Sequence, residues 1–138
     1  MTARLLAVAI VCLLPVAGAC AQGDDGALGE CWAQVKTRIA LNDCLTPKLA
    51  AAEAAMAEAF DRARVQAHEL DAVTDGRARV RERLDAAQAA FRAYRDARCD
   101  SLSARMEPGT GAGNALLGCR IDMTRNRTAD LIDTFGSR

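Results

Sequence analysis

The stretch Leu84–Cys99, LDAAQAAFRAYRDARC, decides the fold. It contains no Gly or Pro. Leu84, Ala87, Phe91 and Tyr94 recur at steps of three and four, the spacing of one apolar stripe on an α-helix. Gln88, Arg95 and Asp96 sit beside that stripe, and Cys99 closes it. The spacing predicts a central helix that starts just after Gly76, takes in Val80 and reaches Leu102, with Met106 near its end.

Outward from this helix, the punctuation is clear on both sides. Glu107 to Asn114, EPGTGAGN, holds one Pro and three Gly and reads as a loop. A last helix follows from Ala115 to Phe135, carried by Leu117, Ile121, Leu131 and Phe135 and weakened by Thr124 and Thr128. On the other side, Thr74-Asp75-Gly76 is a turn signal. Before it, Leu49, Ala52, Met56, Phe60, Ala63, Ala67 and Leu70 sustain helical spacing to Val73. Thr46 is placed to cap this long helix, with Pro47 in its first turn, where no amide donor is needed. A short helix is expected over Cys31–Leu41, ended by Asn42-Asp43. The expected fold is all-α: an antiparallel helical hairpin with a third C-terminal helix and a short N-terminal helix, braced by two disulfides.

Length and composition agree with this class. The chain of 138 residues fits one domain. Its formal net charge is zero, so electrostatics make no case for nucleic acid. Aromatics are only 4%, against abundant alanine and leucine. Residues 1–21 read as a signal peptide: Arg4, then an apolar run from Leu5 to Leu14, then Pro15 and small residues. That run falls short of the roughly 20 residues of a membrane span. Two endings compete. Ala19-Cys20-Ala21 is a cleavage site that leaves Gln22 first, and Ala17-Gly18-Ala19-Cys20 has the form of a lipobox with Cys20 lipidated. The first is preferred, because alanine is a less usual residue than leucine at that lipobox position. Residues 22–30 are expected to be a flexible leader and 31–138 the folded domain.

Without the signal, four cysteines remain: Cys31, Cys44, Cys99 and Cys119. Behind an export signal they imply disulfides. Local pairing, Cys31 with Cys44 and Cys99 with Cys119, is the expectation, although four cysteines permit three pairings. Their spacing is not that of a zinc site, and His68 is the sole histidine. No metal, cofactor or nucleotide loop is indicated. GTGAG at Gly109–Gly113 lacks the following Lys-Ser or Lys-Thr of a phosphate loop. No nucleophile–base pair stands out, so an enzyme is not the expected reading.

The combination Leu84, Gln88, Phe91 and Tyr94-Arg95-Asp96-Ala97-x-Cys99 resembles the signature of the LprI-like family of bacterial secreted or lipid-anchored proteins. Cys31 and Cys44 match its N-terminal cysteine pair. Cys119, Thr124, Arg127 and Leu131 match the pattern beyond its glycine-rich loop. Phe91 stands where the family usually has tryptophan, and Glu53, Met56, Ala57 and Phe60 only partly keep an Asp-x-x-Leu-Asn-x-x-Tyr pattern. The resemblance implies a periplasmic or outer-membrane-anchored binding protein whose partner is a protein, with lysozyme the candidate. An envelope structural or stress module that binds a periplasmic protein or peptidoglycan is the alternative. Candidate binding residues are Gln88, Arg95, Asp96 and Arg127 on the helices and Gly109, Gly111 and Gly113 in the loop. Each helical candidate also has a structural reading. Arg95 can lay its stem on the core, Arg127 can pair with Asp96 or Asp100, and Gln88 can donate between helices.

Overall fold

The computed structural model describes residues 26–109 and 111–136. The segment expected to be a signal peptide, and Cys20, lie outside them. The described residues form four helices: α1 (Ala27–Trp32), α2 (Arg38–Val73), α3 (Val80–Ala104) and α4 (Ala112–Phe135). Among them there is no strand, and no helix is long and apolar enough to cross a membrane. Both local disulfides are present, Cys31–Cys44 and Cys99–Cys119. α2 and α3 form the expected hairpin. α4 is the element that joins them, packing more extensively against α2 than α3 does.

The N-terminal boundaries differ from the sequence expectation. Ala27 to Glu30, expected in a flexible leader, belong to α1. Ala27 is fully buried, and its N–H donates to Asp122 Oδ1 of α4 at 2.9 Å. A carboxylate distant in sequence thus caps the first turn, which local reading does not find. Thr46 caps nothing: Thr37 is the N-cap, its hydroxyl accepting from the Ala40 N–H at 3.2 Å. α2 then runs unbroken through Asn42, Asp43 and Pro47. A proline inside a helix costs about 3 kcal/mol and leaves the carbonyl four residues back without its donor. Here Asp43 and Pro47 are both exposed, so that carbonyl meets water. Leu41 and Leu45 are completely buried and continue the stripe of Leu49, Ala52 and Met56 upstream of the proline. Burying two leucines is worth about 3–6 kcal/mol, which outweighs the penalty.

The turn between α2 and α3 follows its signal. Asp75 and Gly76 take positive φ, 51° and 72°. Asp71 accepts from the Val80 N–H at 2.6 Å and the Arg81 N–H at 3.1 Å, capping α3 from outside the helix. These backbone hydrogen bonds, that of Arg81 foremost, hold its carboxyl below the ordinary range. α4 starts at Ala112, earlier than expected, and absorbs Gly113 and Asn114. Asn114 is buried because its amide joins two helices: it donates to the Arg38 carbonyl at 3.1 Å and accepts from Asn42 at 3.4 Å.

The core consists of two apolar clusters. One holds Ala27, Cys31, Leu41, Leu45, Ala52 and Ile121, and the other Met56, Ala59, Ala63, Ala67, Leu84 and Leu131. Alanine lines α2, so α4 approaches closely but buries little area per residue. α1 also lies close against α4. A Cβ on Gly118 would lie 2.6 Å from Leu28 Cγ. Gly118→Val is expected to push α1 off its seat and destabilise the fold by about 2 kcal/mol. Thermal melting of the oxidised protein checks this, and a change within 0.5 kcal/mol would mean that α1 does not rest on Gly118.

Candidate protein-binding site

α3 does not bury the stripe that its spacing suggests. Its buried positions are Leu84, Gln88, Arg95 and Cys99, with Phe91 half-buried. Ala87 and Tyr94 face solvent, Tyr94 with 58% of its surface exposed. The inward face is turned one position round the helix, because α4 offers polar partners to it. Arg95 Nη1 donates to Thr124 Oγ1 at 3.0 Å and to Glu53 Oε1 at 3.3 Å, and its Nε donates to Asp96 Oδ1 at 3.0 Å. Arg120, not Arg127, reaches from α4 to Asp96 and Asp100, at 3.7 and 3.3 Å. Arg127 Nε instead donates to Gln88 Oε1 at 3.0 Å, its guanidinium 5.7 Å from the Phe91 ring, and it pairs with Asp130. Gln88 therefore accepts between helices rather than donating, and its Nε2 has no partner among the described residues.

Gln88, Arg95 and Arg127 are thus brought together as an internal network, and only Asp96 shows a substantial face to solvent. The loop residues lie elsewhere. Gly111 ends the loop, at the amino terminus of α4, and Gly113 is exposed in the first turn of that helix. The Cys99–Cys119 disulfide and a hydrogen bond from Ser103 Oγ to the Ala112 carbonyl (2.9 Å) hold the loop's ends. Gly109 lies within it, its N–H donating to the Met106 carbonyl at 2.9 Å.

At this end of the bundle α1, α2, the loop and α4 enclose a hollow of about 190 Å³. Leu28, Leu41 and Ala115 line it, with Trp32, Met106 and Arg38 at its rim. Trp32 is 41% exposed and Met106 51% exposed. Aromatic, Met and Arg side chains of this kind are enriched in protein interfaces and among the residues that dominate binding energy. Sequence reading did not single out these three. The chain's sole tryptophan was a signal, but periodicity places it in a helix without telling whether it faces out. Two other hollows, about 370 and 400 Å³, flank Phe135 at the far end of α4. Neither adjoins a disulfide. His68 is exposed on α2, away from the hollow's lining.

The Trp32 side of the hollow is anchored by charge. Glu30 takes two hydrogen bonds from Arg125 of α4, at 2.5 and 3.1 Å, and one from Lys48 of α2 at 2.9 Å. These bonds, Arg125 first, hold the Glu30 carboxyl at about 2.

The structure thus defines a small disulfide-braced helical scaffold that presents an aromatic-rimmed hollow at the end carrying both disulfides. Residues 31–131 match the family described as lysozyme inhibitor LprI, and the chain belongs to that family. No curated protein and no solved structure matches it.

Two expectations follow. Arg95→Met leaves Thr124 without its donor and Glu53 without its cation, while Asp96 keeps Arg120, and should cost about 2 kcal/mol in urea unfolding. A loss under 0.5 kcal/mol would show the network to be dispensable. Glu30, its carboxyl depressed in the fold, stabilises fully above its ordinary value of 4.5 and loses this contribution as pH falls towards about 2. The carboxylate is about a third exposed, so the effect is about 1 kcal/mol. The Tm of the wild type should therefore fall more than that of Glu30→Gln between pH 6 and about pH 2. Parallel falls would count against the anchor.

Proposed function

We propose that this chain is an exported binding protein that inhibits lysozyme by occluding its cleft. The family match across residues 31–131 carries this reading, since it spans both disulfides and the whole helical scaffold. Residues 1–21 act as the signal peptide, and the mature protein works in the periplasm. Two disulfides suit that oxidising compartment. The binding surface is the hollow end of the bundle, with Trp32 and Met106 as apolar anchors and Gly109 and Gly111 letting the loop lie close to a partner. Gln88, Arg95 and Arg127 act from within by holding α3 and α4 in register, and Gly113 and Asp96 lie outside the contact. Occlusion needs no cofactor.

Lysis of bacterial cell walls by hen-type lysozyme, followed with increasing amounts of the mature protein, tests this directly. Inhibition is expected, and unchanged lysis at high molar excess would remove the proposal for that lysozyme class. Trp32→Ala should weaken inhibition by about 30-fold, the scale of a dominant interface residue, while leaving the helical circular dichroism signal intact. Full inhibition by this variant would move the surface away from the hollow.

A further inference from the structure

The charges around the hollow specify its partner further, if the chain is the inhibitor proposed above. Arg38 opens α2, and its guanidinium lies over the first residues of α4: a Cβ on Gly111 would sit 2.8 Å from Nη1. It is exposed and forms no ion pair among the described residues. Neither Asp43 nor Glu107 pairs with it, and Glu30 is committed to Arg125 and Lys48. Neither α2 nor α4 carries an acidic residue in its first turn, and α4 has no side-chain cap. A cation beside the positive end of a helix is the opposite of the usual arrangement. The other two helices do have a carboxylate at their start: Asp71 serves α3, and Asp122 serves α1.

Beside this uncompensated charge lies apolar surface, Trp32 and Met106 over Leu28, Leu41 and Ala115. The pairing fits a partner surface that offers an apolar side chain with a carboxylate next to it. Glycoside hydrolases of the lysozyme type carry two carboxylates in the substrate cleft, one on each side of the scissile bond. We infer that Arg38 pairs with a carboxylate of the bound glycosidase's cleft while Trp32 and Met106 pack against the cleft wall. Inhibition is then competitive with substrate, because the guanidinium occupies the place of the sugar. Arg38 is held by its backbone, whose carbonyl accepts from the buried Asn114, so the side chain is offered from a fixed root.

The test measures the inhibition constant of the full mature protein against hen-type lysozyme, with Arg38→Gln, Arg38→Glu and Arg38→Lys beside the wild type. Arg92→Gln serves as control, an exposed α3 arginine without an ion pair among the described residues. Arg38→Gln is expected to raise the constant by about tenfold and Arg38→Glu by about a hundredfold. Arg38→Lys should fall between the wild type and Arg38→Gln, and Arg92→Gln within about twofold of the wild type. Circular dichroism should not change. An inhibiting wild type with an equally potent Arg38→Glu overturns the role of Arg38 and leaves the inhibitor reading standing. An equal loss in Arg92→Gln also overturns it, since the effect would then be one of general charge. A wild type that does not inhibit overturns both together.

Discussion

Arg95 brings a guanidinium into the middle of a bundle whose two apolar clusters lie on either side of it. On α2, Ala52 belongs to one cluster and Met56 to the other, with Glu53 between them. On α4, Ile121 and Leu131 are divided in the same way by Thr124. Arg95 meets both dividing residues. Burying a cation is costly unless it is paired and hydrogen-bonded. The cost is moderated here because Glu53 and Asp96 remain about half exposed, so only the guanidinium and the Thr124 hydroxyl are fully withdrawn from water. The arrangement fixes register. A one-turn slip of α3 would drive Arg95 into an apolar cluster and set Phe91 or Cys99 against Thr124. Alanine-rich faces do not resist such a slip by shape alone, because their side chains interdigitate little.

This layer also explains which parts of the fold were legible in the sequence. Helix existence and the α2–α3 turn followed from periodicity and from Thr74-Asp75-Gly76, both strictly local signals. So did the disulfides, once local pairing was assumed. What failed was the facing of α3. Ala87 and Tyr94 read as inward because they are apolar, while for Gln88 and Arg95 the structural reading, a bond between helices and a stem laid on the core, is the one the fold adopts. The rule reverses when a neighbouring helix supplies partners, and Thr124, Arg120 and Arg127 are all on α4. The two threonine-bearing turns of α4, which made its stripe look weak, are part of that complement: Thr124 takes the Arg95 bond, and the Thr128 hydroxyl folds back onto the Thr124 carbonyl at 2.9 Å.

The N-terminal boundaries were misread for a related reason. Thr46-Pro47 is a good helix start when considered alone. It lost because Leu41 and Leu45 extend the same buried stripe upstream, and their burial outweighs an exposed proline. A short N-terminal helix is legible, but its bounds, Ala27–Trp32 rather than Cys31–Leu41, are not, because its cap is Asp122 and its ion pair runs from Glu30 to Arg125, each 95 residues away in sequence. The candidate site inherits these difficulties. Gly111 stands out in the sequence because glycine is conspicuous, whereas Trp32 and Arg38 draw attention only when α1 and the start of α2 are placed beside the loop.

Both sides of the hollow are tied down by covalent and ionic means together. Cys31–Cys44 fixes α1 to α2, and Glu30 fixes it to α4. Cys99–Cys119 fixes α3 to α4 behind the loop. Each closure removes freedom from the surface before a partner arrives, and the entropy of ordering interface residues is a main cost of association. A bundle with so thin a core would otherwise lose contact energy to the ordering of its own end. The far end, around Phe135, has the Arg64–Asp85 ion pair between α2 and α3 at 2.9 Å but no disulfide among the described residues, although its hollows are larger. Volume favours that end and preorganisation favours the loop end. For the folded enzyme proposed as partner, rather than a small molecule, preorganisation decides, because affinity between rigid surfaces depends on fixed anchors more than on the size of a depression.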